Sequence, residues 1–536
     1  MSLVFSHPQP PAESTLFPRL FLLLALLLGA SLVPAAAAAE EAPDKAEKVQ
    51  APELEGGVAW LNTPRPITLQ KDLKGKIVLL DFWTLCCINC IHTLPDLAKL
   101  EKKYAEELVV IGVHSPKFEN EKQTESIRKA IMRYEVKHPV VNDGNSKIWT
   151  TYDVHSWPTL VLIDPEGNFV GKASGEGNYE VLDQAISKLI KLHKDKKTLK
   201  TGPFTTELAR EATATPLYFP GKVLADAASK RLFISDSTHH RIVITDLDGK
   251  KIAIAGAGHS GKADGAFDKA TFNDPQGLAL AGEILYVADR KNHLIRALNL
   301  KTQMVKTIAG TGEQGADRQD GGLALRTGLN SPWDLCLVGN QLYIAMAGHH
   351  QIWLLDLDRS ELHPYAGDGA ENIRDGMLLR ARFAQPSGLT TDGKNLYVAD
   401  SEVSAIRELP LGGKGVVRTI VGRGLFEFGD IDGEGEDVRL QHALGVLFLD
   451  GKLYVADTYN SKLKVIDPVK RTSKAYVGEG DGWLAKGVFN EPAGLSHANG
   501  KLYIADTNAH RIRVVDLKTK AVSTLALSGV EPPKAN

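Results

Sequence analysis

Cysteine is scarce in this chain, with four in 536 residues at positions 86, 87, 90 and 336, and this excludes a disulfide-dense scaffold. An excess of either charge is missing as well. The 63 basic and 65 acidic side chains leave a net charge of −2, so bulk electrostatic binding of nucleic acid is excluded and partners have to be recognised at local sites. Beyond residue 39 no segment reaches the roughly 20 apolar residues that a membrane-crossing helix requires. A second Cys-x-x-Cys is absent too, which leaves Cys87 and Cys90 at most half of a zinc site, with His92 as an additional ligand. What the chain has in quantity is glycine (49) and proline (26), which predict many tight turns, and a length that favours more than one domain.

The first stretch differs from the rest. Arg19 precedes Leu20 to Gly29, an uncharged run dominated by leucine and alanine, and Ala35 to Ala39 offers small residues of the kind a signal peptidase accepts. Residues 1–39 therefore read as an export signal, against an uncleaved anchor or a buried helix, and the expected location is extracytoplasmic, periplasmic or secreted, with no integral membrane span after cleavage. A linker follows over 40–53.

From residue 54 to 195 strand and helix patterns alternate, as in an α/β domain. Lys76 to Phe82 is an apolar run suited to a central strand. It leads into Thr84 to Cys90, TLCCINC, and Ile91 to Tyr104 then carries Leu94, Leu97, Leu100 and Tyr104 near helical spacing. The pair Cys87 and Cys90 is thus placed at a helix N-terminus, where the macrodipole and unpaired N–H groups favour thiolate over thiol. Cys87 is the expected nucleophile and Cys90 the resolving thiol.

Asp81-Phe82-Trp83 followed by Cys87-x-x-Cys90 resembles the corresponding segment of thioredoxins, and Pro95 matches the helix proline of that fold. The resemblance implies that Trp157-Pro158-Thr159 is the segment bearing a cis-proline that shapes the substrate groove. It also implies that Asp81 is the buried acid that accepts a proton from Cys90. The sequence departs from thioredoxin at Cys86, which stands where tryptophan is usual and fills that site or joins the exchange, and at Ile88-Asn89 in place of Gly-Pro. An insertion between Ser115 and Pro139 is closer to the exported, cytochrome-maturation branch. Thr84-x-x-Cys87 imitates part of a peroxidase motif, but Leu80 stands where that motif needs proline.

After a linker over 196–214 the sequence becomes periodic. LFISD at Leu232, LYVAD at Leu285, LYIAM at Leu342, LYVAD at Leu396 and Leu453, and LYIAD at Leu502 start 49 to 57 residues apart. Six copies with room for four short strands each predict a six-bladed β-propeller over 215–530, leaving a tail at 531–536. Asn292-His293-Leu294, with His240, His350 and His510 at the equivalent place and Ser404 and Ser461 in repeats four and five, resembles NHL repeats. The recurring histidines and the aspartates 236, 289, 400, 457 and 506 read as turn-stabilising elements and not as metal ligands, and no metal is expected. Cys336 reads as core.

A thioredoxin-like domain carrying CCINC followed by an NHL propeller resembles the NHL-repeat-containing protein 2 family. The expected function is an exported thiol–disulfide oxidoreductase. It would use no cofactor beyond a redox-active Cys87–Cys90 disulfide, and its propeller would select a protein or peptide client alongside a redox partner protein. The alternative is a non-catalytic interaction scaffold, with thiol peroxidase and propeller lyase as minor readings.

Overall fold

A computed structural model describes residues 49–211, 214–478 and 488–534, so the expected export segment 1–39 lies outside the described residues. The thioredoxin-like part is one six-stranded sheet. Its strands are β1 (Ala59–Leu61), β2 (Ile77–Trp83), β3 (Leu108–His114), β4 (Val140–Asn142), β5 (Thr159–Ile163) and β6 (Phe169–Ser174), in the order β1-β4-β3-β2-β5-β6. Every residue of β2 is buried, and β2 pairs in parallel with β3 and antiparallel with β5, which is why its sequence is a continuous apolar run interrupted by Asp81 alone. Alternation along β2 feeds two cores. Ile77 and Leu79 pack with Leu94, Leu97, Ile127, Ile131 and Ile186, whereas Val78, Leu80 and Phe82 pack with Ile148 and Tyr152 on the other face.

Helix α1 (Leu69–Asp72) precedes β2, and α2 (Ile88–Lys103) starts directly after Cys87, three residues earlier than the leucine spacing suggests, with Pro95 inside it. The insertion between β3 and β4 forms a short 3-10 turn at Glu119–Lys122 and α3 (Thr124–Arg133). Helices α4 (Lys147–Thr151) and α5 (Tyr179–Asp195) complete the domain.

The periodic region is a six-bladed propeller of antiparallel meanders. Blade 2 is typical, with strands Pro275–Ala281, Ile284–Asp289, Leu294–Asn299 and Met304–Ala309 from the axis outward and the two-residue strand Gly265–Ala266 added at the outer edge. The ring closes without a covalent link. Thr507 Oγ1 of blade 6 donates to Pro220 O of blade 1 at 2.8 Å, the bond that Thr458 Oγ1 makes to Pro492 O one blade earlier, and the C-terminal segment bridges Ser528 to Lys250 at the rim of blade 1. Lys222 crosses the axis. Its Nζ donates to Ser387 O and Leu444 O at 2.7 Å and to Asp334 Oδ2 at 3.1 Å, tying blades 1, 3, 4 and 5 together.

The six NHL positions all adopt left-handed backbone, with φ from 49 to 55° at His240, His293, His350, Ser404, Ser461 and His510. Each accepts one hydrogen bond from a backbone N–H of the following blade. His240 Nδ1 takes Asp274 N at 3.2 Å, His293 Nδ1 takes Ser331 N at 2.9 Å and His350 Nδ1 takes Gln385 N at 3.1 Å. Ser404 Oγ takes His442 N at 3.1 Å, Ser461 Oγ takes Glu491 N at 3.3 Å, and His510 Nδ1 takes Phe219 N at 3.1 Å, which again closes the ring. A histidine and a serine do this work interchangeably because each offers one acceptor at the end of a short side chain. The recurring aspartates act within their own blades: Asp236, Asp289, Asp400, Asp457 and Asp506 each accept a backbone N–H at 2.6–2.7 Å. In repeat three Met346 Sδ takes that place, accepting from Asn330 N at 3.3 Å.

Candidate thiol site

Cys87 is the N-cap of α2, with φ −74° and ψ 117°, and its Sγ accepts a hydrogen bond from Cys90 N at 3.3 Å. It is half-buried, whereas Cys86 and Cys90 are 2% and 0% exposed, and none of the three is joined in a disulfide. Burial pushes the Cys90 thiol well above its ordinary range, and its hydrogen bond with Cys87 adds to this. The Cys86 thiol is pushed up in the same way, first by burial and then by the carboxylates of Glu121 and Glu402. Of the three, only Cys87 is partly exposed.

Asp81 sits in the middle of β2 with both carboxyl oxygens buried and unpartnered. Burial raises it from 3.8 to about 7, against a small opposing pull from His138, and its charge in turn raises Cys90. A carboxyl that exchanges its proton near neutrality next to a buried thiol has the properties of a proton acceptor. The Trp157–Pro158 peptide bond is cis. Trp157 Nε1 donates to Ser115 O at 3.0 Å and its ring lies 4.5 Å from Trp149, while Thr159 Oγ1 donates to Ser156 O at 2.8 Å. Trp157 packs against the same cluster as Cys87.

Several residues that the sequence did not single out complete the loop. Glu121, 0% exposed, accepts from Thr84 Oγ1 at 2.6 Å, Cys86 N at 3.0 Å, Lys117 N at 2.7 Å and Phe118 N at 3.0 Å, so one carboxylate ties the insertion to the segment before the nucleophile. His114 Nε2 accepts from Leu85 N at 3.2 Å, and burial lowers His114 to about 3, which keeps the ring neutral. Nothing in the sequence marks Glu121, one of several polar residues in a short insertion.

The cysteine loop faces the propeller. Ile88, the first residue of the dipeptide between the cysteines, is 2% exposed and packs with Ile91, Trp333, Ala347, Leu444 and Ala493. Around it stands a ring of six residues, one per blade, each just before the innermost strand and each left-handed: Phe219, Asp274, Ser331, Gln385, His442 and Glu491, with φ between 48 and 60°. Five of the six reach the thioredoxin-like domain. Ser331 Oγ lies 2.7 Å from His92 Nε2, and the Gln385 carboxamide binds Cys86 O and Ile88 N, both at 2.9 Å. The His442 ring lies tilted against Phe118 with centroids 5.3 Å apart, Glu491 accepts from Asn120 Nδ2 at 2.9 Å and from Arg133 Nη2 at 3.2 Å, and Phe219 lies under Arg133 at 5.9 Å. Lys117 and Glu402 add a buried ion pair. This face of the propeller is therefore occupied by the chain's own first domain.

His92, the remaining candidate zinc ligand, is held between Glu176 Oε2 at 2.6 Å and Ser331 Oγ at 2.7 Å. Ser331, His92 and Glu176 have the spacing of a hydrolytic triad, but Ser331 is 2% exposed within the domain contact and serves as a latch. Among the described residues, the one group of three side chains close enough to share a metal ion is Asp164, Glu166 and His193. Asp164 Oδ1 there is already used by Glu166 N and Asn168 N, both at 2.9 Å, in the turn before β6.

Comparison with known proteins agrees with this architecture. A family described as thioredoxin-like matches residues 75–169. The chain is 42% identical over 490 residues to the human NHL repeat-containing protein 2, covering 84% of this chain and 67% of that protein. With the Gallus gallus protein of the same name the figures are 43% over 486 residues, 83% and 66%, so the chain spans about two thirds of the length of the curated relatives it matches. A shorter match, 35% over 119 residues, covers 22% of this chain and 66% of the thiol-disulfide oxidoreductase ResA of Bacillus cereus, which makes the first domain a relative of thiol–disulfide oxidoreductases. With a thioredoxin-like domain bearing CCINC seated on a six-bladed NHL propeller, the chain belongs to the NHL repeat-containing protein 2 family.

Proposed function

We propose that the chain is an exported thiol–disulfide oxidoreductase in which Cys87 attacks and Cys90 resolves. The observation that carries this reading is the arrangement of the site: a half-buried Cys87 whose Sγ accepts the Cys90 N–H, a fully buried Cys90, and a buried, unpartnered Asp81 whose carboxyl burial raises to about 7. In the reducing direction the Cys87 thiolate attacks one sulfur of a client disulfide, forming a mixed disulfide and releasing the other client sulfur as a thiolate, which takes a proton from solvent. Cys90 then passes its proton to Asp81 and attacks Cys87 Sγ. The Cys87–Cys90 disulfide forms, the second client sulfur leaves as thiolate and is protonated, and two electrons have moved to the client. A redox partner protein reverses the sequence at the Cys87–Cys90 disulfide. The cis-Pro158 segment supplies the groove for an extended client, and the free rim of the propeller supplies recognition loops.

Export is supported by the apolar run and small residues of 1–39, and an oxidising compartment suits a dithiol of this kind. The reading as a non-catalytic scaffold draws support from a different observation, the near-complete burial of Cys86 and Cys90 in the first domain's core and of Ile88 against the propeller. Exchange with a small aromatic disulfide separates the two. The intact chain should turn over, Cys87→Ser should abolish exchange, and Cys90→Ser should trap mixed disulfides through Cys87. A wild-type chain that does not exchange, or Cys87→Ser with full activity, would establish the scaffold reading or a different nucleophile.

A further inference from the structure

Of the six ring residues, Gln385 is the one that touches the backbone of the Cys-x-x-Cys segment, among the described residues. Its Nε2 donates to Cys86 O and its Oε1 accepts from Ile88 N, each at 2.9 Å. These two backbone groups flank Cys87 and point the same way, as the C=O and N–H on either side of a strand residue do. A carboxamide carries the donor and acceptor of a peptide group, so Gln385 closes on Cys87 as a neighbouring strand would. Ile88 N is also the first unpaired donor of α2, and it finds its acceptor in the propeller and not in its own helix.

We propose that Gln385 is a positioning residue for the Cys87 sulfur, so that the reactivity of the thiol depends on a residue of blade 4; this rests on the thiol-exchange reading above. The side chain is preorganised. Gln385 is 0% exposed, its own N–H is held by His350 Nδ1 at 3.1 Å, and its carbonyl accepts from Ser387 Oγ at 2.9 Å. Two hydrogen bonds from a fixed amide pin the φ and ψ of Cys87, and that conformation lays Sγ 3.3 Å from Cys90 N, the donor that steadies a thiolate. The four other ring residues that reach the first domain, Ser331, His442, Glu491 and Phe219, bind His92, Phe118, Asn120 and Arg133, which hold the domain but not the sulfur.

Gln441 offers the control. Its Oε1 accepts from Asn120 N at 3.1 Å, so it joins the same two domains without reaching the cysteine loop. In the full-length chain, Gln385→Ala and the near-isosteric Gln385→Met should each slow iodoacetamide labelling of Cys87 at pH 7, followed by peptide mass mapping, by about tenfold. The oxidation equilibrium with glutathione should shift in both, because a loss of fold stability common to the reduced and oxidised forms cancels from that constant and a change at the reactive pair does not. Gln441→Ala should stay within about twofold of wild type on both readouts. Equal effects of the Gln385 and Gln441 variants would reduce Gln385 to a docking contact and overturn the proposal, as would unchanged labelling in a folded Gln385→Met chain. A wild type that labels at Cys87 in a Gln385-dependent way but exchanges no disulfide would uphold the positioning role while overturning the oxidoreductase reading.

Discussion

The ring of left-handed residues in the propeller and the loop around the cysteines are neighbours, yet one is built by repetition and the other is not. In the ring one bond is made six times, from a blade's backbone N–H to the His or Ser of the blade before it, and the acceptor changes identity without changing the bond. Around the cysteines each arrangement occurs once, and several groups are left wanting: both Asp81 oxygens, Trp83 Nε1 and His114 Nδ1 are buried without a partner. Repetition of one bond is what a scaffold needs, and it tolerates a single lapse such as His442 Nδ1, which is buried without a partner in the ring itself. A singular arrangement that bears a desolvation cost, with a titratable group in it, is what the thiol exchange proposed above would require.

The sharpest way to break this contrast is at Asp81. Its carboxyl is raised from 3.8 to about 7 by burial, so the folded chain keeps a proton that the unfolded chain has lost. That sign makes the group harmless below about pH 4 and increasingly costly as pH rises through 7, to roughly 4 kcal/mol on a conversion of about 1.4 per unit. Asp81→Asn should therefore stabilise the chain, with a melting-temperature gain that is small at pH 4 and grows to pH 8, while exchange through Cys90 slows. If the variant loses stability at pH 8, Asp81 is a structural group with a partner in solution, and the contrast fails at its centre.

How far the sequence discloses these two regions follows from the length of their interactions. The blades are legible because strand alternation and the LYVAD strings are local, and the β2–Cys87–α2 unit is legible because a strand, a loop and a helix are consecutive. The structural role of the repeated histidines also follows from repetition, but their acceptors' partners lie 30 to 38 residues onward, or 291 residues back for His510, and no local pattern joins them. Glu121 and Gln385 were hidden for the same reason: 35 and 299 residues separate them from their bonds to Cys86. A sequence read domain by domain records Ile88-Asn89 as a departure from Gly-Pro within the cysteine pair. In the structure Ile88 is first of all the anchor of the first domain in the mouth of the propeller.

That anchor joins the two regions, and removing it tests whether the propeller shields the loop. Ile88→Ala leaves a void among Trp333, Ala347, Leu444 and Ala493 and should cost on the order of 3 kcal/mol of domain seating. The expected signature is faster alkylation of Cys86, which is 2% exposed in the wild type, with far-UV circular dichroism unchanged. Unchanged protection of Cys86 would mean that the first domain buries the loop by itself.

The smallest effect belongs to the ring, where a single bond among six equivalents is altered. His350 is lowered to about 3 by burial, so its neutral ring is required in the folded state, whereas the unfolded chain takes up a proton below about 6.5. With the folded value depressed, the contribution of this neutral base is complete above 6.5 and declines as pH falls, reaching a loss of about 2 kcal/mol at pH 5. Ser404 and Ser461 make the same bond in blades 4 and 5 without a titrating ring, at 3.1 and 3.3 Å. His350→Ser should then cost a little stability at pH 7.5, for lost packing, and less at pH 5, because the serine latch has no proton to exclude. Urea denaturation of both chains at the two pH values reads the difference directly, since every other titrating group is common to them. Parallel loss of stability in the two proteins would show that His350 is not held neutral by the fold, and the interchange of histidine and serine around the ring would need another cause.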